Sequence, residues 1–136
     1  MSLIIEELKK KRDFYCEDGA SLEQIENAER ELNTKLAEVY KDYVLKFGTV
    51  SCGGHEMTGF SSDINYDVVN VTQENRKSNP HVNDRLYVIE ETHMDGIVIW
   101  QAESGEIYKT EYKEKPEMIF HSLLEYVATF ENSEDV

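Results

Sequence analysis

Several features are scarce in this 136-residue sequence, and each scarcity narrows the class of protein. The chain has two cysteines, Cys16 and Cys52, which are too few for the disulfide framework of a small secreted domain. Its start, MSLIIEELKKKRDF, has three successive apolar residues before charges begin, whereas a secretory signal needs about 7–15 and a membrane span about 20. We therefore expect a cytoplasmic protein with free thiols that does not bind membranes.

Basic residues are scarce as well, because 14 lysines and arginines stand against 28 aspartates and glutamates, for a formal net charge of −14. Residues 49–136 carry 17 acidic and 6 basic side chains, a net −11, whereas residues 1–48 carry 11 and 8, a net −3. Such a surface repels phosphate backbones, so we do not expect direct binding to nucleic acid. It favours a basic partner and speeds the encounter with it, although a role in solubility alone is the competing interpretation.

Catalytic signatures are missing too. The chain has no glycine-rich phosphate loop, no nucleophile-elbow serine and no H-E-x-x-H motif. Its one run of carboxylates with histidine is Glu90-Glu91-Thr92-His93. On a strand, Glu90 and Glu91 point to opposite faces and cannot act together as acid and base. We interpret this run as a solvated strand end and expect a protein that is not an enzyme, with no catalytic residue and no cofactor.

The segment KFGTVSCGGHEMTGF raises a different question, because it places Cys52 three residues before His55. A structural zinc site needs four ligands, usually as two such pairs, and the remaining candidates are scattered single residues: Cys16, His81, His93 and His121. A catalytic dyad needs an oriented imidazole beside the thiol, which two intervening glycines do not provide. We therefore interpret Gly53-Gly54 as a tight turn between extended segments and expect no bound metal.

Composition favours one folded domain. Hydrophobic residues make up 40% of the chain and aromatic residues 10%, which is enough for a core without disulfides or metals. No repeat or linker divides the sequence, so we expect a single domain over residues 1–136, with residues 132–136 as a frayed acidic tail.

Helical patterns precede Gly48. We predict a first helix over residues 3–15, with Ile4, Leu8 and Tyr15 on one face and the basic run at residues 9–12 on a solvated face. A second helix begins with the capping box Ser21-Leu22-Glu23-Gln24 and ends near Asn33, which tolerates a left-handed conformation. A third is predicted over residues 37–47 and ends at Gly48. Its apolar stripe comprises Leu36, Tyr40, Tyr43, Val44 and Phe47.

Strand patterns prevail after Gly48. We predict strands over residues 56–60, 85–91, 96–101 and 107–112, the last three forming an antiparallel meander with a turn at Asp95-Gly96. A helix is predicted over residues 67–77, and a closing helix follows the capping box Ser122-Leu123-Leu124-Glu125. The order predicts an α+β fold: a mostly antiparallel sheet packed with four to five helices.

These motifs, taken in order, resemble the SUKH superfamily of Smi/Knr-like domains. The run from Ser21 to Phe47-Gly48 resembles the opening helices of that family, although Asn33 stands where glycine is usual and Ala37 where proline is usual. Gly53-Gly54 with the following strand, the turn Gly105-Glu106-Ile107-Tyr108 and the closing SLLEYVATF resemble further family motifs. The resemblance covers about residues 3–130.

The resemblance implies an immunity protein that binds and neutralises a cognate toxin domain, often a nuclease, without catalysis. Regulatory scaffolds and other interaction domains of the same superfamily are the alternative. We expect the toxin to contact an acidic face, with Tyr66 or Trp100 as an aromatic anchor if exposed, although the apolar strand around Trp100 favours the core. A homodimer through a free strand edge is a further alternative. The acidic face is predicted to comprise Asp63, Asp67, Glu90, Glu91, Asp95 and Glu103.

Overall fold

The computed structural model describes residues 3–133, which fold into five α-helices and seven strands. The helices are α1 (Leu3–Lys9), α2 (Leu22–Leu32), α3 (Glu38–Phe47), α4 (Val68–Ser78) and α5 (Leu123–Ala128). The strands are β1 (Tyr15–Cys16), β2 (Val50–Cys52), β3 (His55–Glu56), β4 (Leu86–Glu91), β5 (Ile97–Ala102), β6 (Ile107–Glu111) and β7 (Glu117–Phe120). The predicted α+β class with antiparallel sheets is confirmed.

The strands form two antiparallel sheets that meet at one edge. The smaller sheet has the order β1-β2-β3 and the larger has the order β4-β5-β6-β7. Just after β3, Met57 forms a bridge with Glu90 of β4, and the Thr58 N–H donates to the Ile89 carbonyl at 2.9 Å. Helices α1, α3 and α5 contact one another, and α4 contacts α2 and β4. The two sheets are therefore one continuous scaffold.

Buried side chains form two clusters on opposite faces of β4. Tyr87 and Ile89 belong to the larger cluster, together with α1, α3 and α5, whereas Val88 packs with Trp100 and Val71 in the smaller one. Burial on both faces explains why β4 is an almost continuous apolar run instead of an alternating one. Trp100 is 1% exposed and donates its indole N–H to Thr110 Oγ1 at 2.9 Å. The interpretation of Trp100 as a core residue is confirmed.

Local signals placed both ends of α2, the end of α3 and the start of α5 correctly. Ser21 and Gln24 form the reciprocal capping box at the start of α2, and Asn33 ends that helix in the left-handed conformation with φ 57°. Gly48 ends α3 with φ 70°, and Ser122 accepts the Glu125 N–H at the start of α5. All five residues of the predicted α3 stripe are buried. These contacts are local in the sequence, so the sequence was sufficient to predict them.

The prediction for the first helix was too long. Helix α1 ends at Lys9, and Asp13 adopts φ 56° before the chain turns into β1. Tyr15 is 67% exposed on that strand instead of lying on the buried helical face. Lys11 is only 2% exposed, and its ammonium donates to the Phe130 carbonyl at 3.2 Å and to Asn132 Oδ1 at 2.9 Å. The basic run at residues 9–12 is therefore not a wholly solvated face.

The predicted strands also needed correction. The strand expected over residues 56–60 consists of His55–Glu56 alone, because the chain then bends to bridge β4. The expected three-strand meander has a fourth strand, β7, which pairs with β6. Its signal is weak because Met118 is 46% exposed and the strand has four residues.

Two further expectations were a frayed tail over residues 132–136 and the absence of a membrane-spanning helix. The bridge between Lys11 and Asn132 and the Ser133 N–H bond to the Lys10 carbonyl, 2.9 Å long, fasten residues 132 and 133 to the start of the chain. The rest of the predicted tail, residues 134–136, lies outside the described part. Within residues 3–133, no helix has both the length and the apolar character that a bilayer crossing requires.

Candidate functional site

The Cys52–His55 segment forms the tip of a β-hairpin with a two-residue turn. Gly53 and Gly54 have φ values of 55° and 83°, which glycine adopts readily, and they join β2 to β3 with Cys52 paired to His55. Cys52 is 2% exposed, and burial raises its thiol pKa to about 11. The His55 Nδ1 lies 3.0 Å from Glu90 Oε1 and is directed at that carboxylate. The predicted turn is confirmed, and the thiol is a protonated core group at neutral pH.

Metal ligands do not cluster in the part of the chain that the structure describes. Between residues 3 and 133, no group of three or more histidine, cysteine, aspartate or glutamate side chains has the arrangement to hold an ion. Cys52 and His55 therefore have no partners for a four-ligand site among these residues.

Glu90 is buried at the junction of the two sheets, contrary to our interpretation of residues 90–93 as a solvated strand end. The residue is 3% exposed. Its carboxylate accepts hydrogen bonds from the Tyr126 hydroxyl and, at 3.2 Å, from the Glu56 N–H, and it faces His55. Burial and the Glu90 charge raise the pKa of Tyr126, so the tyrosine remains the donor. A register shift between Val88 and Glu90 turns the carboxylate inward.

The other predicted contact residues occupy separate places. Glu91, half-buried, accepts a hydrogen bond from Asn75 of α4 at 2.8 Å. Asp95 lies in the turn before β5 and Glu103 in the turn after it, so a strand of six residues, about 20 Å long, separates them. Asp67 caps α4 by accepting the Asn70 N–H at 3.2 Å, and Asp63 lies in the exposed loop before it. The structure does not bring the six together on one face.

Asp63 instead lines an open cleft that we call the acidic cleft. It has a volume of ≈ 270 Å³ and is formed by β1, the hairpin and the loop before α4. Its lining includes three carboxylates and two tyrosines, and it contains no lysine, arginine or histidine. These five residues are Glu17, Glu56, Asp63, Tyr15 and Tyr66.

Neutral groups hold the carboxylates of the acidic cleft in place. Thr49 donates its hydroxyl to Glu17 at 2.6 Å, and the Asn65 N–H donates to Asp63 at 2.9 Å. A hydrogen bond to Glu56 is the largest cause of the raised pKa of Tyr66. Among the ion pairs within residues 3–133, none involves Glu17, Glu56 or Asp63. None of the three carboxylates is therefore paired with a basic side chain among the described residues.

A larger cleft, of ≈ 730 Å³, lies between the end of α2 and the turns that flank β4 and β5. Glu103 is one of four acidic residues that line it, but Arg30, Lys35 and Arg85 line it too. Lys35 pairs with Glu29 at 3.8 Å, so part of the charge is internally balanced. Volume alone would favour this cleft, whereas charge favours the acidic cleft.

Sequence reasoning missed Glu17, Glu56 and Tyr15 as site residues. Tyr15 was assigned to a helix, so its exposure was not foreseen. The run Phe14-Tyr15-Cys16 did carry a signal, because aromatic residues are enriched in strands. Nothing local in the sequence connects Glu17 with residues 56–66, which the small sheet brings to it.

Comparison with known proteins adds to this geometry. The family described as SMI1-KNR4 cell-wall, within the SUKH group, matches residues 1–128. The chain belongs to this SUKH family. Among curated proteins, none matches the sequence significantly. The motifs that carried the resemblance of this SUKH domain lie at the hairpin, at the β5–β6 turn and in helices α2, α3 and α5. They therefore belong to the scaffold. The acidic cleft is formed largely by other residues.

Proposed function

We propose that this SUKH domain is an immunity protein, an antitoxin that binds a cognate toxin domain and neutralises it. Membership of the family, which is associated with immunity proteins, supports the general role. The observation that carries the choice of partner is the uneven charge: residues 49–136 have 17 acidic and 6 basic side chains. A partner that presents a basic surface is therefore favoured in both encounter and orientation.

A nuclease domain is the toxin that best fits this charge. A nuclease must hold phosphates, so its active cleft is basic. An acidic protein can mask that cleft or a neighbouring surface and so exclude the substrate. Charge would supply speed and partner choice, while buried contacts would supply most of the affinity. On this proposal the protein acts by occupancy and is not an enzyme, and it does not bind nucleic acid itself.

The proposed toxin contacts are the members of the predicted acidic set that are exposed or half-buried: Asp63, Asp67, Glu91, Asp95 and Glu103. Glu90 has a different role in this proposal. Its buried carboxylate is occupied by Tyr126, His55 and the Glu56 backbone, so it positions the hairpin beside the acidic cleft.

A regulatory scaffold is the second candidate function. The description of the matching family includes the term cell-wall, and a fold alone does not determine the role of a domain. A scaffold would also bind a protein, but that protein would not be a toxin.

Co-expression with the toxin domain encoded beside the gene tests the proposal. We expect cell survival when both are present. Calorimetry with a catalytically inactive toxin variant should give one-to-one binding that weakens as salt rises, because screening reduces attraction between exposed charges. Tight binding that salt does not change would keep the function but assign the interface to apolar residues. Absence of both rescue and binding would refute the immunity proposal in favour of a scaffold.

A further inference from the structure

We propose that the acidic cleft receives a single arginine side chain of the protein partner. The inference takes the nature of the partner, a protein with a basic surface, from the proposed function. It adds the contact site on this chain and the chemical group that enters it. Three observations carry it: carboxylates with no basic residue among the lining residues, two tyrosine rings at the cleft and the small size of the cleft.

The charge of the cleft is unpaired, and two of its carboxylates are held in position. Glu17, Glu56 and Asp63 line it, and no basic residue is among the lining residues. The Thr49 hydroxyl donates to Glu17 and the Asn65 N–H donates to Asp63, so neutral hydrogen bonds orient these two carboxylates. A carboxylate that is already oriented loses little conformational freedom on binding. Because a guanidinium presents five donors in a planar fork, it can bond two carboxylates at once, whereas an ammonium acts as a point charge.

The aromatic rings supply a second element of arginine recognition. Tyr15 is 67% exposed on β1, which is an edge strand of the small sheet, and Tyr66 is half-buried on the loop before α4. Guanidinium groups stack on such rings, and the attraction increases when water is displaced. An exposed tyrosine at the rim of an acidic cleft is also the residue type that recurs at interaction hot spots.

The size of the cleft suits a single side chain. Its volume of ≈ 270 Å³ lies just below the roughly 300–1,000 Å³ typical of sites for drug-sized ligands. Val50 and Met57 also line it, but they are 2% and 1% exposed and present almost no surface. The methylene stem of an arginine would therefore pack on the exposed ring of Tyr15 while its charged end remains among the carboxylates.

The probe that tests this inference is a capped tripeptide with arginine between two glycines, titrated into the isotope-labelled protein. The matched control peptide contains citrulline, which keeps the shape and lacks the charge. We expect saturable amide shifts at residues 15–17, 49–57 and 61–66 with arginine, and none with citrulline. Equal shifts with citrulline, or arginine shifts confined to other surfaces, would overturn the inference.

Two triple variants with the same change of net charge identify the carboxylates involved. E17Q/E56Q/D63N neutralises the cleft, and D42N/E114Q/E117Q neutralises three exposed acidic residues outside it. We expect the first to weaken arginine-peptide binding about tenfold and the second to leave it near wild type. Equal weakening in both would mean that the effect is one of net charge, and the cleft would not be the site.

A single variant keeps the test valid even if the triple variant is unstable. Tyr15→Ala removes a side chain that is 67% exposed, and Leu22→Ala is the matched truncation of a side chain that is 66% exposed on α2. We expect the former to weaken peptide binding about threefold and the latter to have no effect. No difference between them would remove the aromatic part of the argument and overturn the site as proposed.

The peptide and toxin experiments distinguish the two proposals. If wild-type protein protects cells from the neighbouring toxin but the peptide does not bind the cleft, the arginine site is wrong and the immunity role stands. If the peptide binds the cleft but the toxin is neither bound nor neutralised, the immunity role is wrong and the arginine site stands. If both hold, E17Q/E56Q/D63N should also reduce protection more than D42N/E114Q/E117Q.

Discussion

At the scale of single residues, the buried carboxylate of Glu90 connects three elements that are distant in sequence. Tyr126 of α5, His55 of β3 and the backbone of Glu56 all meet it. The His55 ring also stacks on Phe130 at 3.7 Å between centroids. One side chain on β4 therefore fastens both the hairpin and the closing helix to the sheet, and the position of the acidic cleft depends on it.

We expect Glu90→Ala to lower the free energy of unfolding by about 2–4 kcal/mol, because it leaves buried donors without an acceptor. Glu91→Ala is the matched control: the neighbouring residue is half-buried and contacts only one amide. Urea unfolding can be followed through Trp100, the single tryptophan of the chain. Similar losses for both variants would show that the Glu90 contacts contribute no more to stability than the single Glu91 contact.

The Cys52 thiol should be inert in the folded protein. It is 2% exposed and its pKa is raised to about 11 by burial, so at pH 8 about one molecule in 1,000 carries the reactive thiolate. We expect iodoacetamide to modify Cys16, which is partly exposed, well before Cys52, and both equally fast in denaturant. Mass spectrometry of the peptides measures both rates. Rapid labelling of native Cys52 would revive a catalytic or metal-binding role for the Cys52–His55 pair.

At the scale of elements, the β2–β3 hairpin depends on its two glycines to different degrees. A Cβ at Gly53 would lie 3.0 Å from the Glu131 backbone nitrogen, whereas one at Gly54 would meet nothing within 4 Å. Both residues have positive φ. We expect Gly54→Ala to cost about 1 kcal/mol from backbone strain alone and Gly53→Ala to cost more. Thermal unfolding of the two variants checks the order, and a reversed order would contradict the geometry.

Helix α4 links stability to pH through its capping residue. Desolvation raises the pKa of Asp67 despite the backbone N–H bonds of the helix start. A raised folded-state pKa means that the stabilising contribution is present below the unfolded-state pKa and is lost as pH rises through the folded-state value. We therefore expect Asp67→Asn, which keeps the cap, to gain stability relative to wild type from acid to neutral pH. Asp67→Ala should be about 1 kcal/mol less stable than Asp67→Asn at every pH, because both variants lack the titrating carboxyl and only asparagine keeps the cap.

Chemical unfolding over this pH range measures both effects of the Asp67 variants. The comparison of wild type with Asp67→Asn isolates the charge, and the comparison of Asp67→Asn with Asp67→Ala isolates the cap. A constant difference between wild type and Asp67→Asn at all pH values would show that burial does not shift this carboxyl.

Elements with local signals could be predicted, and those that depend on distant contacts could not. Asp67 and Ser122 mark helix starts through bonds to residues three positions away. By contrast, Lys11 is buried where its ammonium donates to the carbonyl of Phe130, 119 positions away, and no local pattern contains that information. The site followed the same rule: Asp63 was named from its charge, whereas Glu17 and Glu56 became visible only when the small sheet placed them beside it.

At the scale of the whole molecule, a net charge of −14 acts against folding while favouring a basic partner. Like charges that are close together contribute most to this repulsion, and salt screens it over about 10 Å at 0.1 M ionic strength. The acidic cleft gathers three carboxylates without a counter-charge, so a disproportionate share of the cost should lie there. If these carboxylates serve binding and not folding, replacing them with neutral amides should stabilise the free protein.

We therefore expect E17Q/E56Q/D63N to be more stable than wild type at low salt, by about 0.5–1 kcal/mol, because neutral amides keep the hydrogen bonds and remove the repulsion. D42N/E114Q/E117Q makes the same change in net charge at dispersed positions and should gain less. The difference in stability between the two triple variants should shrink as sodium chloride is added, because screening weakens the same repulsion that the substitutions remove. Calorimetric unfolding in a salt series measures this difference.

Equal gains in both triple variants would show that repulsion is spread over the whole surface. A loss of stability in E17Q/E56Q/D63N would show that the cleft carboxylates stabilise the fold instead of serving a partner.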